Sequence, residues 1–397
     1  MIRTLRRVAL SAAVLSLLVT AACGGSDSGN GGKSGDPLQA KIGLIGPKSG
    51  AAQFYWTELE RGIELAEPEI KEKFGVTFEK VEGDDQGSPD VASRVIQTML
   101  NQDNVDVVFG PSQSGPSLQV AETIQRTGRP WLVSIAAADE ILNPEASPNW
   151  GFRTNNNNSD AIAVSGSYLW SDSDAKVGIF YGADAYGQSN HDMLLAYAKK
   201  NGKTVVHEEV IQPGATDVSS QVRKMRDAGV TSILGAVTTG ADTAAITKAM
   251  DQLGYKPDRF LVTATVLAGY TDLAKPREWE NLAFIEPRDL TGDSFAGITQ
   301  KYEEKYGEKP TSSVAVYTTY TSALLYGQAV AAAKDAHDWK AVRQAMEDTP
   351  KLDVNGRVWE KPFGAADHDL YEDDPSSWFV IGFDPEGKVR TIGSAGS

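Results

Sequence analysis

The chain has 397 residues, with 53 acidic against 38 basic side chains and a formal net charge of -15 at pH 7. That balance excludes nucleic acid and an anionic membrane surface as partners, since both are polyanions that would repel it. The 8 Trp, 13 Tyr and 12 Phe exclude a chain disordered throughout, and the single cysteine excludes an internal disulfide framework.

Taken in chain order, the first element is a leader. Arg3, Arg6 and Arg7 precede an apolar run from Val8 to Val19, then Thr20-Ala21-Ala22-Cys23 and a Gly/Ser-rich stretch. A basic start, a short apolar core and small residues before a cut describe a secretory signal. The run falls short of the ~20 apolar residues a spanning helix needs. With Cys23 at the cut, the leader resembles a bacterial lipoprotein signal, although Thr20 stands where that pattern usually has a larger aliphatic residue. The expectation is a signal over residues 1–23, a flexible tether over 24–37, and an exported protein anchored to the outer face of the cell membrane by lipid on Cys23. An ordinary secretory signal with an incidental cysteine, or a retained membrane helix, are the alternatives.

The remaining body of about 360 residues exceeds the size at which one hydrophobic core stops growing, which predicts two lobes. Strands are predicted at 41–46, 76–81, 106–110 and 130–135, alternating with helices over 55–70, 89–100 and 117–125. The alternation then repeats: helix 161–170, strand 176–181, helix 189–200, strand 204–211, helix 218–228, strand 232–237, helix 241–253, strand 259–266. A strand at 282–286, helices over 294–306, 314–334 and 339–347, and late strands at 357–360 and 378–383 complete the chain. Strands alternating with helices indicate parallel sheets built from right-handed crossovers.

In such sheets ligands bind beyond the carboxyl ends of the strands. Those segments here are rich in Ser, Thr, Gly and Ala. The strongest is Ser112–Ser117, between a strand and a helix, where free N–H groups and Ser114 could hold a carboxylate; the alternative is that Ser114 or Ser117 caps its helix. Asn155–Asn158 reads as a capping and crossover segment that could also lend amides to a cleft. The pairs Asp84-Asp85 and Asp373-Asp374 read as solvated turns, and His368, between Asp367 and Asp369, as a solvated loop. The four histidines have no metal-ligand spacing, and no phosphate loop, dinucleotide fingerprint or nucleophile elbow is present. No cofactor, metal or catalytic residue is expected.

The segments Ile42–Gly50, Glu82–Asp85, Val107–Ser114, Phe152–Thr154, Asp184–Gly187 and Tyr317–Tyr320, in this order and spacing, resemble the Leu/Ile/Val-binding family of ABC-transporter substrate-binding lipoproteins. The resemblance spans about Leu38 to Ile392. It implies a type I periplasmic binding protein fold: two similar Rossmann-like α/β lobes with parallel sheets, joined by three hinge crossovers. Lobe 1 would comprise 38–154 and 288–372, and lobe 2 would comprise 155–287 and 373–397. It further implies a small-molecule solute gripped by closure of the lobes, an ABC permease as partner, a monomer, and no bond chemistry. Residue by residue, Ser114 falls on a carboxylate-holding serine, Ala136 on a backbone carbonyl that takes the ammonium, and Tyr186 on a pocket tyrosine. Phe54 falls near a first-lobe aromatic. Thr238 stands where a tyrosine is frequent, Ala138 where a threonine is usual, and Ala264, beside Thr265, where branched-chain binders have a glutamate. Loss of that glutamate should weaken α-amino-acid binding unless Asp139, Asp184 or Glu286 replaces it, so the expected solute keeps a carboxylate or amide but lacks a free α-ammonium, as small organic acids, aromatic acids, amides and urea-like solutes do. A ligand-sensing module for a membrane signalling partner, and more distantly an exported hydrolase, are the rival readings.

Overall fold

The computed structural model describes residues 37–50, 52–142, 146–263, 270–275, 278, 281–371, 374–384, 386 and 388–394. The leader, Cys23 and the tether up to residue 36 lie outside them, as do Ala264, Thr265 and Asp373. In chain order the elements are β1 (Leu38–Gly46), α1 (Phe54–Phe74), β2 (Val76–Asp84), α2 (Pro89–Asn101), β3 (Val107–Phe109), α3 (Ser114–Thr127), β4 (Trp131–Val133) and β5 (Gly151–Arg153). There follow α4 (Asn158–Leu169), β6 (Val177–Gly182), α5 (Ala185–Lys200), β7 (Val205–Ile211), α6 (Ser219–Asp227), β8 (Ser232–Ala236), α7 (Gly240–Gln252), β9 (Arg259–Thr263), α8 (Tyr270–Leu273) and β10 (Leu282–Glu286). The last are α9 (Asp293–Tyr306), α10 (Ser313–Ala333), α11 (Trp339–Glu347), β11 (Lys351–Val354), β12 (Arg357–Glu360), β13 (Phe379–Phe383) and β14 (Val389–Ser394).

The strands form a five-stranded sheet in the order β2-β1-β3-β4-β5 and a seven-stranded sheet in the order β14-β13-β10-β9-β8-β6-β7. The first sheet is parallel throughout. The second is parallel from β10 to β7, with β13 and β14 added antiparallel at one edge. The chain therefore passes between the sheets after β5, after β10 and before β13. The hairpin β11–β12 stands apart as an antiparallel pair.

Apolar spacing predicted the helix faces well. Leu59, Ile63, Ala66 and Ile70 of α1 are all fully buried. Helix α1 also runs through Pro68, whose missing N–H leaves the Glu64 carbonyl without its helical donor. The Lys305 ammonium supplies a substitute at 3.2 Å. Helix α10 is buried on nearly every side, which explains its weak amphipathicity in the sequence. Short strands with little apolar run of their own, namely β5, β11 and β14, escaped the periodicity reading.

Two sequence expectations are corrected here. His368 is not solvated: it is 3% exposed, stacks on Phe152 at 4.0 Å, and its ring nitrogens lie 2.7 Å from the Gly151 carbonyl and 3.1 Å from Glu347. Asp85 is not a solvated turn residue either. It is fully buried and accepts from Gly87 N–H at 2.8 Å, and burial raises its carboxyl to about 6.

Three crossing segments meet at Arg288, which is 1% exposed. Its guanidinium pairs with Glu286 and donates to Asn155 Oδ1 at 2.9 Å and Asn156 Oδ1 at 3.2 Å. It also lies 5.2 Å from the Tyr371 ring centre. One buried cation thus bonds to residues from the first and second crossovers and faces the start of the third.

Candidate functional site

Each sheet has a topological switch point, between β1 and β3 in the first and between β6 and β8 in the second. Beyond the carboxyl ends of these strands the backbone leaves a crevice. The two crevices share one cavity of about 270 Å³, the setting in which such folds hold a small solute. It is lined from the first lobe by Tyr55, Ser112–Pro116 and Ile135–Ala137, from the first crossover by Asn155, Asn156 and Asn158, and from the second lobe by Asp184–Tyr186, Val237 and Thr238.

The post-β3 segment is set by Gly110, whose φ of +87° favours glycine and whose Cα lies too close to the Ile45 carbonyl for a side chain. Helix α3 then starts at Ser114, three residues earlier than the apolar spacing suggests, because Pro116 is tolerated in a first turn, where its N–H would be unpaired anyway. Its N-cap Gln113 makes no side-chain cap bond. The first N–H groups of α3 therefore remain as donors beside the cavity. Ser117 does not cap: its hydroxyl donates to the Pro111 carbonyl at 2.9 Å. The Ser114 hydroxyl accepts from Ala138 N–H at 3.3 Å.

The post-β4 segment is held in place by the first crossover. Asn155 Nδ2 donates to the Ile135 carbonyl at 2.7 Å, Asn158 N–H to Ala137 at 2.9 Å, and the buried Arg153 guanidinium to the Ala137 and Ala138 carbonyls at 3.2 and 3.0 Å. Ala136 faces the cavity from this clamped stretch. Asn157 caps α4 through Asp160 N–H, so the four asparagines do both things the sequence allowed: they cap a helix and line the cleft.

In the second lobe Asp184 caps α5, accepting from Gly187 N–H at 2.8 Å. Position 187 must be glycine, since a side chain there would strike the Gly182 backbone. The other Asp184 oxygen accepts from the Thr238 hydroxyl. Thr238 sits just before a capping box, Thr239 with Asp242, that starts α7.

Among the predicted site residues, Ser114, Ala136, Tyr186 and Thr238 meet at this cavity. Phe54 does not line it; its ring lies 4.0 Å from the Tyr55 ring at a tilt of 36°, and Tyr55 takes the cavity position. Ala138 is fully buried behind Ser114 and is not in the lining. Asp139 is occupied by Ser159 N–H, and Glu286 by Arg288. Among the described residues, three buried lining atoms have no partner: Ser112 Oγ, Gln113 Oε1 and Asn158 Nδ2. Unsatisfied polar atoms on a cavity wall mark places where a ligand completes the bonding. Among the described residues in the lining, Asp184 is the one formal charge, and no described group of His, Cys, Asp and Glu could hold a metal.

Two α/β lobes with a solute-sized cavity at their facing strand ends define a binding protein of the type I periplasmic fold. The chain belongs to the periplasmic binding protein family, whose model matches residues 39–372. Leu/Ile/Val-binding protein homolog 7 of Brucella abortus (strain 2308) is 24% identical over 326 residues, covering 77% of this chain and 80% of that one. The crystal structure of a type 1 periplasmic binding protein from Bordetella pertussis Tohama I superposes with a TM-score of 0.78 at 25% identity, covering 89% of this chain and 99% of that one. The branched-chain amino acid transporter substrate binding protein LivJ from Streptococcus pneumoniae, in complex with isoleucine, gives 0.74 at 20% identity over 89% and 99%. An ABC-transporter solute binding protein from R. palustris in complex with benzoate gives 0.76 at 18% identity over 90% and 96%.

Proposed function

We propose that this protein is the extracytoplasmic solute receptor of an ABC importer, tethered to the outer face of the cell membrane through lipid on Cys23. It acts as a monomer, grips one small solute between its lobes by hinge closure, and hands it unchanged to a permease. The observation that carries the reading is the cavity itself: its walls come from both lobes, and its buried polar atoms lack partners. A ligand touching both lobes favours the closed arrangement because it binds that arrangement better. The solute is an amino acid or a related small carboxylate or amide. The relatives that hold isoleucine and benzoate support that size class. The α3 N-terminus with Ser112 and Ser114 offers donors to a carboxylate or carbonyl oxygen. No helix among the described residues is long and apolar enough to cross a membrane.

Native mass spectrometry of freshly purified protein tests the binding role, by detecting a retained small molecule that calorimetry then confirms. Uptake of that solute by cells lacking the protein tests the importer role. Undiminished uptake would remove the importer from the reading, and a turnover signal from the bound compound would replace it with an enzyme.

A further inference from the structure

We infer that Arg288 is a positioning residue for the solute site: from the second crossover, and through the Asn155 amide, it holds the Ile135–Ala137 wall in the shape that a solute meets. This rests on the cavity being the solute site. The experiment below needs no solute, so its failure would leave that reading standing.

A guanidinium carries N–H donors and no acceptor. Two asparagine oxygens therefore turn toward Arg288, Asn155 Oδ1 at 2.9 Å and Asn156 Oδ1 at 3.2 Å. An amide whose oxygen is committed has only its NH2 end left to offer. For Asn155 that end donates to the Ile135 carbonyl at 2.7 Å. Turning the amide over would set its NH2 against the guanidinium and its oxygen against a carbonyl, two unmatched pairs. Asn155 is 3% exposed, so water does not offer either end a substitute. The chain Arg288–Asn155–Ile135 thus has one orientation along its length.

Arg288 acts without meeting the solute. It is absent from the described lining that contains Asn155, Asn156 and Ile135–Ala137. It lines instead a second cavity of about 540 Å³, with Asp289, Phe295, Tyr317 and Arg357. The crossover that carries it is itself held: Glu286 pairs with the guanidinium, and Arg357 donates to the Pro287 carbonyl at 3.1 Å.

The wall has another clamp, the Arg153 guanidinium on the Ala137 and Ala138 carbonyls. The two clamps grip different carbonyls, with Ala136 between them. Arg153 ends β5 and ties the wall to its own sheet, whereas Arg288 ties it to the end of β10, in the other sheet. A wall fixed from both sides before a solute arrives leaves less to be ordered on binding.

The test is amide hydrogen exchange by NMR on the purified protein with no solute added. Exchange is read at Asn155 Nδ2, at the Ala138 N–H bonded to Ser114 Oγ and at the Asn158 N–H bonded to the Ala137 carbonyl. Leu44 and Leu261, fully buried in the two sheets, report global opening. The decisive pair of variants is Glu286→Gln and Glu286→Gln/Arg288→Met. Both lack the ion pair, and only the double variant lacks the guanidinium on the asparagines. In the double variant, exchange at the three wall sites should accelerate by at least about tenfold more than at Leu44 and Leu261. In Glu286→Gln that excess should stay below about twofold. Should the double variant not fold, Arg288→Lys carries the same comparison, since lysine keeps the charge beside Glu286 but not the planar fork. Acceleration no greater at the wall than at the two leucines would overturn the inference and leave the wall to Arg153. An equal excess in Glu286→Gln would also overturn it, by assigning the effect to the ion pair.

Discussion

The Tyr55 hydroxyl, on helix α1 of the first lobe, donates to the Thr238 carbonyl of the second lobe at 3.0 Å. Tyr55 is 5% exposed, and the bond runs beside the solute cavity that both residues line. A buried bond between the lobes contributes only to the arrangement in which they meet. It therefore couples closure to whatever the cavity holds.

Removing it should cost affinity without touching the ligand's own contacts. Tyr55→Phe keeps the ring and deletes the donor, leaving the Thr238 carbonyl without its partner. The expected loss is about 1 kcal/mol, roughly fivefold in Kd, expressed mainly as faster release. Calorimetry and stopped-flow dissociation measure both quantities. An unchanged release rate would mean that closure does not depend on this bond.

Ser112→Ala should separate stability from binding. The Ser112 hydroxyl is 3% exposed and has no partner, so it is a cost to the free protein. Its removal should leave the melting temperature without ligand unchanged or slightly raised, while affinity falls by about 1 kcal/mol. A drop in stability with affinity intact would assign Ser112 to the scaffold.

The crossover knot should behave as a buried ion pair. Arg288→Met leaves Glu286 charged, 2% exposed and without its cation. That should destabilise the fold by about 3–5 kcal/mol in urea titration. Adding Glu286→Gln should recover part of the loss. Equal stability of the single and double variants would show that the pair is not energetically coupled.

Glu58 predicts a pH dependence. Burial raises its carboxyl to about 7, outweighing the Ser312 and Thr311 N–H groups, the nearby Tyr302 hydroxyl and the Arg61 guanidinium, which lower it. One oxygen accepts from Ser312 N–H at 3.1 Å. The protonated form is therefore the one the fold favours. Its stabilising contribution is full below the unfolded value near 4.5 and is lost as pH rises through 7. Glu58→Gln should remove this slope, gaining on the wild type by on the order of 2–3 kcal/mol between pH 5 and pH 8. Parallel stability curves for the two proteins would refute the raised carboxyl.

Cys23→Ser should release the protein from the membrane fraction and abolish its labelling by radioactive palmitate. Label retained on the variant would place the lipid elsewhere, and an unlabelled wild type would reduce the leader to an ordinary secretory signal.

The α/β architecture was readable along the chain because it rests on local periodicity. Buried parallel strands leave continuous apolar runs, as in Ile42–Gly46 and Leu282–Glu286, and helices packed on one face repeat their apolar residues every three or four positions. The segments that carry Ser114, Ala136, Tyr186 and Thr238 were legible for a related reason, since each follows a strand and strand ends are where such sheets bind; the four residues within them came from the family resemblance. Folding alone chose Tyr55 over its neighbour Phe54, buried His368 and Asp85 in stretches that look solvated, and left Ser112, Gln113 and Asn158 without partners at a shared wall. It also brought Arg288 to Asn155, 133 residues away in the chain. Which polar groups are paired, buried or spare depends on segments far apart in sequence arriving together, and no local pattern of residues carries that information.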